Sequence, residues 1–191
     1  MFILEDVRGV DVMEPVSIRH FCEEDAQVIY DNYCALMSRT VAYYLHGASP
    51  YPRFEDFKRR LEKMCNQSSF PFVVVDQADS PIGIAYISRL DRRCKFHDLA
   101  VYMWAHPECT EFVLRNVLEM AFKGSAQMAV CRFPGYQQEL LRAVRNIGMH
   151  KAGCIENYVF CRINDSLPDI WPEYTFVLRR QDWDDHPKGG D

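Results

Sequence analysis

The sequence predicts one α/β domain of seven strands and about four helices, and three observations carry that reading. Segments in which apolar residues alternate with a period of two are interleaved with segments in which they recur every three or four residues. The chain is 191 residues long, the length of one domain, and no internal repeat or low-complexity linker divides it. Hydrophobic residues make up 48% and charged residues 26%, which is the balance of a soluble chain with one buried core. Residues 15–183 are read as the domain, 1–14 as an N-terminal extension and 184–191 as a flexible polar tail.

The elements follow in order. Val16–Phe21 alternates and reads as the first strand. Glu23, Glu24 and Asp25 then open a helix, where acids suit the dipole, and Ala26, Ile29, Tyr30 and Tyr33 share one face. After a loop with Gly47, Pro50 and Pro52, Phe54, Phe57, Leu61 and Met64 mark a second helix, with Lys58–Lys63 its solvated basic face. Phe70–Asp76 and Ile82–Arg89 form a hairpin about Ala78–Pro81, and Phe96–Trp104 is the next strand. Thr110 is placed as the N-cap of a helix whose core stripe is Leu114, Val117, Leu118 and Ala121, with Gly124 at its end. Gln127–Arg132 is a strand, Gln137–Ile147 a helix stopped by Gly148, and two strands follow near Gly153–Ile163 and Tyr174–Arg180.

The formal charge of −5 argues against a protein built to neutralise nucleic-acid phosphates. Apolar runs such as Phe72–Val75 fall far short of the ~20 residues of a membrane span. The acids Glu5, Asp6, Asp11 and Glu14 do not fit a targeting peptide. A cytoplasmic protein with neither nucleic-acid nor membrane partner is expected. The eight cysteines are dispersed without a Cys-x-x-Cys, so free thiols in a reducing compartment are expected rather than disulfides. The pairs Cys94/His97 and His106/Cys109 invite a zinc site. A strand at ~3.3 Å per residue would hold His97 and His106 roughly 30 Å apart, so no metal is expected.

The order strand, two helices, three strands, helix, strand, helix, two strands resembles the Gcn5-related N-acetyltransferase (GNAT) fold, and within it the ribosomal-protein alanine N-acetyltransferase-like branch. The phrases that carry the likeness are Val16–Ala26, Phe72–Asp76 with Pro81–Ala85, Leu140–Met149 with Lys151–Glu156, and Tyr174–Trp183. The resemblance implies a central, mixed, mostly antiparallel sheet and transfer of an acetyl group from acetyl-CoA to a primary amine of a small molecule, a peptide or a protein N-terminus. It places the base at Asp98, or at its neighbour His97, whose imidazole is the better base near neutrality. Successive strand residues face opposite sides, so only one of the two can face a cleft. It also implies that Tyr102, Met103 and Trp104 bind the pantetheine arm through their backbone and that the Thr110 amide faces a phosphate. The aromatic loop with Tyr43, Tyr44, His46 and Tyr51 would line the acceptor side.

Two departures from the family pattern stand out. The family cradles the coenzyme pyrophosphate in a glycine-rich loop, whose backbone N–H groups can approach it closely. Here no glycine lies between Gly83 and Gly124, and Glu108 and Glu111 flank the helix start, so the coenzyme loop is degenerate. The family's thiolate-protonating Tyr, four residues before the helix-ending glycine, is replaced by Val144. Tyr136, Tyr102 or Cys131 could take its place in space. Three readings follow: an acyl-CoA-dependent N-acyltransferase, a binding or regulatory protein on the same fold, or an acyltransferase fed by a carrier-bound thioester. The acceptor and the oligomeric state are not legible.

Overall fold

In a computed structural model of the chain, the residues described are 16–39, 53–66, 69–91, 95–161 and 169–185. Seven strands, β1 (Ser17–His20), β2 (Ser69–Val75), β3 (Pro81–Asp91), β4 (Phe96–Met103), β5 (Met128–Pro134), β6 (His150–Cys161) and β7 (Asp169–Arg179), form one sheet. Its order is β1-β2-β3-β4-β5-β7-β6. Every neighbouring pair is antiparallel except β4 and β5.

Strand alternation sends two sets of side chains to two helical layers. On one face Leu99, Val101, Ala129, Cys131, Phe133, Phe176 and Leu178 pack beneath α3 (Thr110–Lys123) and α4 (Gln138–Asn146). On the other, Val73, Val75, Ile84, Tyr86 and Ala100 pack beneath α1 (Ala26–Arg39) and α2 (Phe54–Asn66), through Ile29, Tyr33, Phe57 and Leu61. The helical stripes read from spacing are therefore the buried ones. Lys58 and Arg59 on the outer face of α2 pair with Glu23 and Asp56. Gly148, at φ +83°, ends α4 as expected, because few other residues tolerate that conformation.

Two expectations are corrected. Thr110 is not an N-cap: a 3-10 turn, Pro107–Cys109, precedes α3 and puts Thr110 inside the first helical turn. The last strand stops at Arg179, and a short helix α5 (Arg180–Asp184), not read from the sequence, follows it among the described residues. That turn folds the Trp183 ring inward against Phe122, 6.1 Å between centroids, where an extended chain would leave it at the sheet edge. The expected loop residues Tyr43, Tyr44, His46 and Tyr51, the segment 1–14 and the tail beyond Asp185 lie outside the described residues. Among the described residues, Cys22, Cys34, Cys109, Cys131 and Cys154 are free thiols, no helix is long and apolar enough to cross a membrane, and no group of three His, Cys, Asp or Glu could hold a metal.

The first strand is tied down electrostatically. Arg19 of β1 grips the buried Asp25 with two hydrogen bonds, 2.7 and 2.8 Å, and reaches Asp79 in the β2–β3 turn at 3.0 Å. Burial pushes the Asp25 carboxyl up, but bonds from Arg19 and from the Cys22 thiol and backbone outweigh it and hold the pKa at about 2. Because folding lowers this pKa, its stabilisation is complete above about pH 4 and is lost as the pH falls towards 2. The loss is about 2 kcal/mol. Urea midpoints of wild type and Asp25→Asn should therefore lie well apart at pH 6 and draw together near pH 2. A gap unchanged over that range would refute the assignment.

Candidate active site at the β4–β5 fork

The two parallel strands separate part-way along. β4 pairs with β5 only from Phe96 to Leu99, whereas β5 continues along β7 as far as Pro134. Beyond Leu99 the last turn of β4 leans on β3: the Trp104 N–H donates to the Ile82 carbonyl at 3.1 Å. Alternation along an antiparallel ladder then turns the Tyr102 backbone to β3 too, and leaves the N–H and C=O of Met103 facing the gap. Of the three residues expected to offer backbone groups to a pantetheine arm, Met103 is thus the one whose N–H and C=O face the gap. Gly83 makes this arrangement possible. A Cβ there would stand 2.5 Å from the Met103 sulfur and 2.9 Å from the Tyr102 carbonyl, so any larger residue would force β4 away from β3.

The fork opens into a cavity of about 590 Å³, within the range of small-molecule sites. Tyr102, Met103, Trp104 and Thr110 all line it, joined by Ile29, Asn32 and Tyr33 of α1 and by Tyr136–Leu140 at the start of α4. Tyr33 is held by Phe57 of α2, 5.3 Å between ring centroids. Trp104 is fixed by its indole N–H, which donates to the Pro81 carbonyl at 3.1 Å. Tyr136 sits in a turn fastened at both sides: the Gly135 N–H donates to the Pro172 carbonyl at 2.7 Å, and the Gln138 amide to the Gly135 carbonyl at 2.5 Å.

The mouth beside α3 carries its own anion. His106 adopts the left-handed conformation at φ +51°, and the Cys109 N–H turns back to its carbonyl at 2.9 Å. Both the N–H and the hydroxyl of Thr110 close on the Pro107 carbonyl, the hydroxyl at 2.6 Å. Thr110 lines the cavity, and its amide is bonded to the Pro107 carbonyl. The Glu108 carboxyl lies below its ordinary range because its own backbone N–H, and then the His106 ring at 3.1 Å, bond to it. Glu111 is bonded by Arg115 at 2.8 Å and by Asn146 at 2.8 Å.

Asp98 and His97 point to opposite faces, and neither is among the cavity-lining residues. His97 is buried, on the same side of β4 as Leu99. Asp98 lies on the α1–α2 side, mostly covered, with a 2.7 Å bond from Arg132 of β5. The register sets Tyr86 opposite Ala100, one step diagonally from both Asp98 and Tyr102. The Tyr86 and Tyr102 hydroxyls are hydrogen-bonded, and burial followed by the Asp98 charge pushes the Tyr86 phenol far up. Cys131 faces the α3–α4 core, and burial pushes its thiol far up as well. The sequence reading placed Tyr33 in the core stripe and missed that the open end of the same stripe borders the cavity.

No protein-family model matches the sequence, and no curated protein matches it. Solved structures do. Mutant forms of the spermidine/spermine N-acetyltransferase SpeG from Vibrio cholerae are 12% identical, over 88% of this chain and 95% of that one, with a TM-score of 0.70. The spermidine N-acetyltransferase from Vibrio cholerae in complex with CoA and spermine is 11% identical, over 88% of this chain and 97% of that one, with a TM-score of 0.71. The chain has the GNAT fold, a seven-stranded mixed sheet between helical layers.

Proposed function

We propose that this protein is an N-acyltransferase that moves an acetyl group from acetyl-CoA to a primary amine in the β4–β5 fork. The observation that carries the reading is the fork itself. It turns the Met103 backbone towards a cavity large enough for a thioester arm and an amine, with phenolic groups around it. The GNAT fold, shared with N-acetyltransferases, supports it. The resemblance to the ribosomal-protein alanine branch supports an acceptor that presents a single amine.

In the reaction the amine nitrogen attacks the thioester carbonyl, and the carbon–sulfur bond breaks. The leaving thiolate takes its proton from the Tyr136 phenol, which stands at the α4 end of the cavity. The proton shed by the nitrogen passes to Tyr102, whose own proton moves to Tyr86 and on towards Asp98. Tyr86 is too weak an acid to stand as a phenolate, so it relays rather than stores the proton. Arg132 of β5 holds the Asp98 carboxylate in place at 2.7 Å. Asp98 is thus a proton acceptor at a distance, and no metal has a part in the scheme.

The test is to mix the chain with acetyl-CoA and a primary amine and to measure free thiol and acetylated amine together. Equal amounts of both, dependent on protein and amine, are expected. Thiol released without amide, or no turnover, would overturn the reading in favour of a binding protein on an acyltransferase fold.

A further inference from the structure

The helix α1 brings Ile29, Asn32 and Tyr33 to the cavity, the i, i+3, i+4 stripe of one helical face. Tyr102 of β4 packs against the cluster that holds Ile29 and Tyr33, so Asn32 and Tyr102 border the same side of the cavity. The Asn32 amide is oriented by a bond to its own helix. Its Nδ2 donates to the Val28 carbonyl, one turn back, at 2.9 Å. Only the nitrogen end of an amide can make that bond. The end left to the cavity is Oδ1, which accepts hydrogen bonds and cannot donate them.

A primary amine at the moment of attack has its lone pair on the thioester carbonyl and two N–H bonds besides. One of these carries the proton that passes to Tyr102. The other needs an acceptor, because a donor stripped of water and left unpaired is costly. Resting on the acyltransfer reading, we infer that Asn32 Oδ1 accepts this second N–H, so that Asn32 fixes the nucleophile and selects primary over secondary amines. As the carbon–nitrogen bond forms, the nitrogen becomes cationic. The bond to Oδ1 is then charge-assisted, and its benefit falls on the transition state. A secondary amine has one N–H, which goes to Tyr102, and it turns its extra carbon towards Oδ1. The amide oxygen then gives up its water and gains no bond.

The experiment compares kcat/KM for benzylamine and N-methylbenzylamine with acetyl-CoA and the intact protein. The wild type is expected to prefer benzylamine by about tenfold or more. Leucine is close to asparagine in size but has no acceptor. Asn32→Leu should therefore lose most of its benzylamine activity, while the N-methyl value stays within a factor of a few and the preference falls towards unity. Asn32→Ala, which opens space beside the nitrogen, should show the same collapse for the same reason. A preference that survives in Asn32→Leu, or that vanishes in Asn32→Ala only because N-methylbenzylamine improves, would mean exclusion by size and overturn the inference. Equal use of both amines by the wild type would also overturn it and leave acyl transfer standing. Acetylation of neither amine, with the protein folded, would overturn both.

Discussion

Tyr136→Phe is expected to lower kcat by about 10²–10⁴-fold while acetyl-CoA binding stays within a factor of a few. The substitution removes one hydroxyl from a ring already held in a turn fastened by Gly135 to Pro172 and by Gln138 to Gly135. Fold and cavity volume are therefore preserved, and the loss falls on protonation of the thiolate. The alternatives are weaker. Val144 occupies the place of the family's tyrosine and has no proton to give. Cys131 is fully buried in the α3–α4 core. Tyr102 is committed to Tyr86. Steady-state rates with a good leaving thiol separate the roles. A thioester of an acidic thiol needs no proton donor and should rescue Tyr136→Phe, but should leave Asp98→Asn slow. Equal rescue of both variants, or a Tyr136→Phe protein of full activity, would sink the assignment.

The donor's nucleotide end should contribute little. Acetyl-CoA is expected to bind in the high-micromolar range or weaker, with S-acetyl-pantetheine within about tenfold of it. A glycine-loop cradle holds the diphosphate by charge-assisted bonds worth ~1.5–3 kcal/mol each. Losing two of them weakens binding by about 3–6 kcal/mol, or two to four powers of ten. Here Pro107 offers no N–H, those of Cys109 and Thr110 are turned back on the loop, and that of Glu108 is taken by its own carboxylate. That carboxylate is held below its ordinary range, so it stays charged across neutral pH and repels a diphosphate there. Glu108→Gln should therefore tighten acetyl-CoA binding and leave S-acetyl-pantetheine unchanged, as read by calorimetry. Tight binding of acetyl-CoA to the wild type that collapses without the diphosphate would show a cradle built from other groups.

The fold was legible because each element buries one face against a single sheet. Leu114, Val117 and Leu118 on α3 and Ile29 and Tyr33 on α1 announce their buried faces by spacing alone. The α5 turn was not, since five residues around Trp183 are too few for any periodicity. Nor was the 3-10 turn that displaces Thr110 from the cap, which depends on the left-handed His106. The site was legible in part. The positions of Tyr102, Met103 and Trp104 on one cavity follow from their place at the end of β4, and that of Thr110 from its place at the start of α3. Which of them turns its backbone to the gap depends on the β3 register, and the link from Asp98 through Tyr86 to Tyr102 depends on a cross-strand diagonal. Neither is written in a local pattern.

The central claim is that the thioester arm lies along β4 where β5 has turned away. Residue-resolved amide hydrogen exchange, with and without saturating S-acetyl-pantetheine, tests it most directly. The account predicts slowed exchange at Met103 and at the α4 start around Gln138–Leu140, with the amides of α2 unchanged. Protection confined to another surface, such as the β6–β7 edge, or no protection at Met103 under saturation, would contradict it.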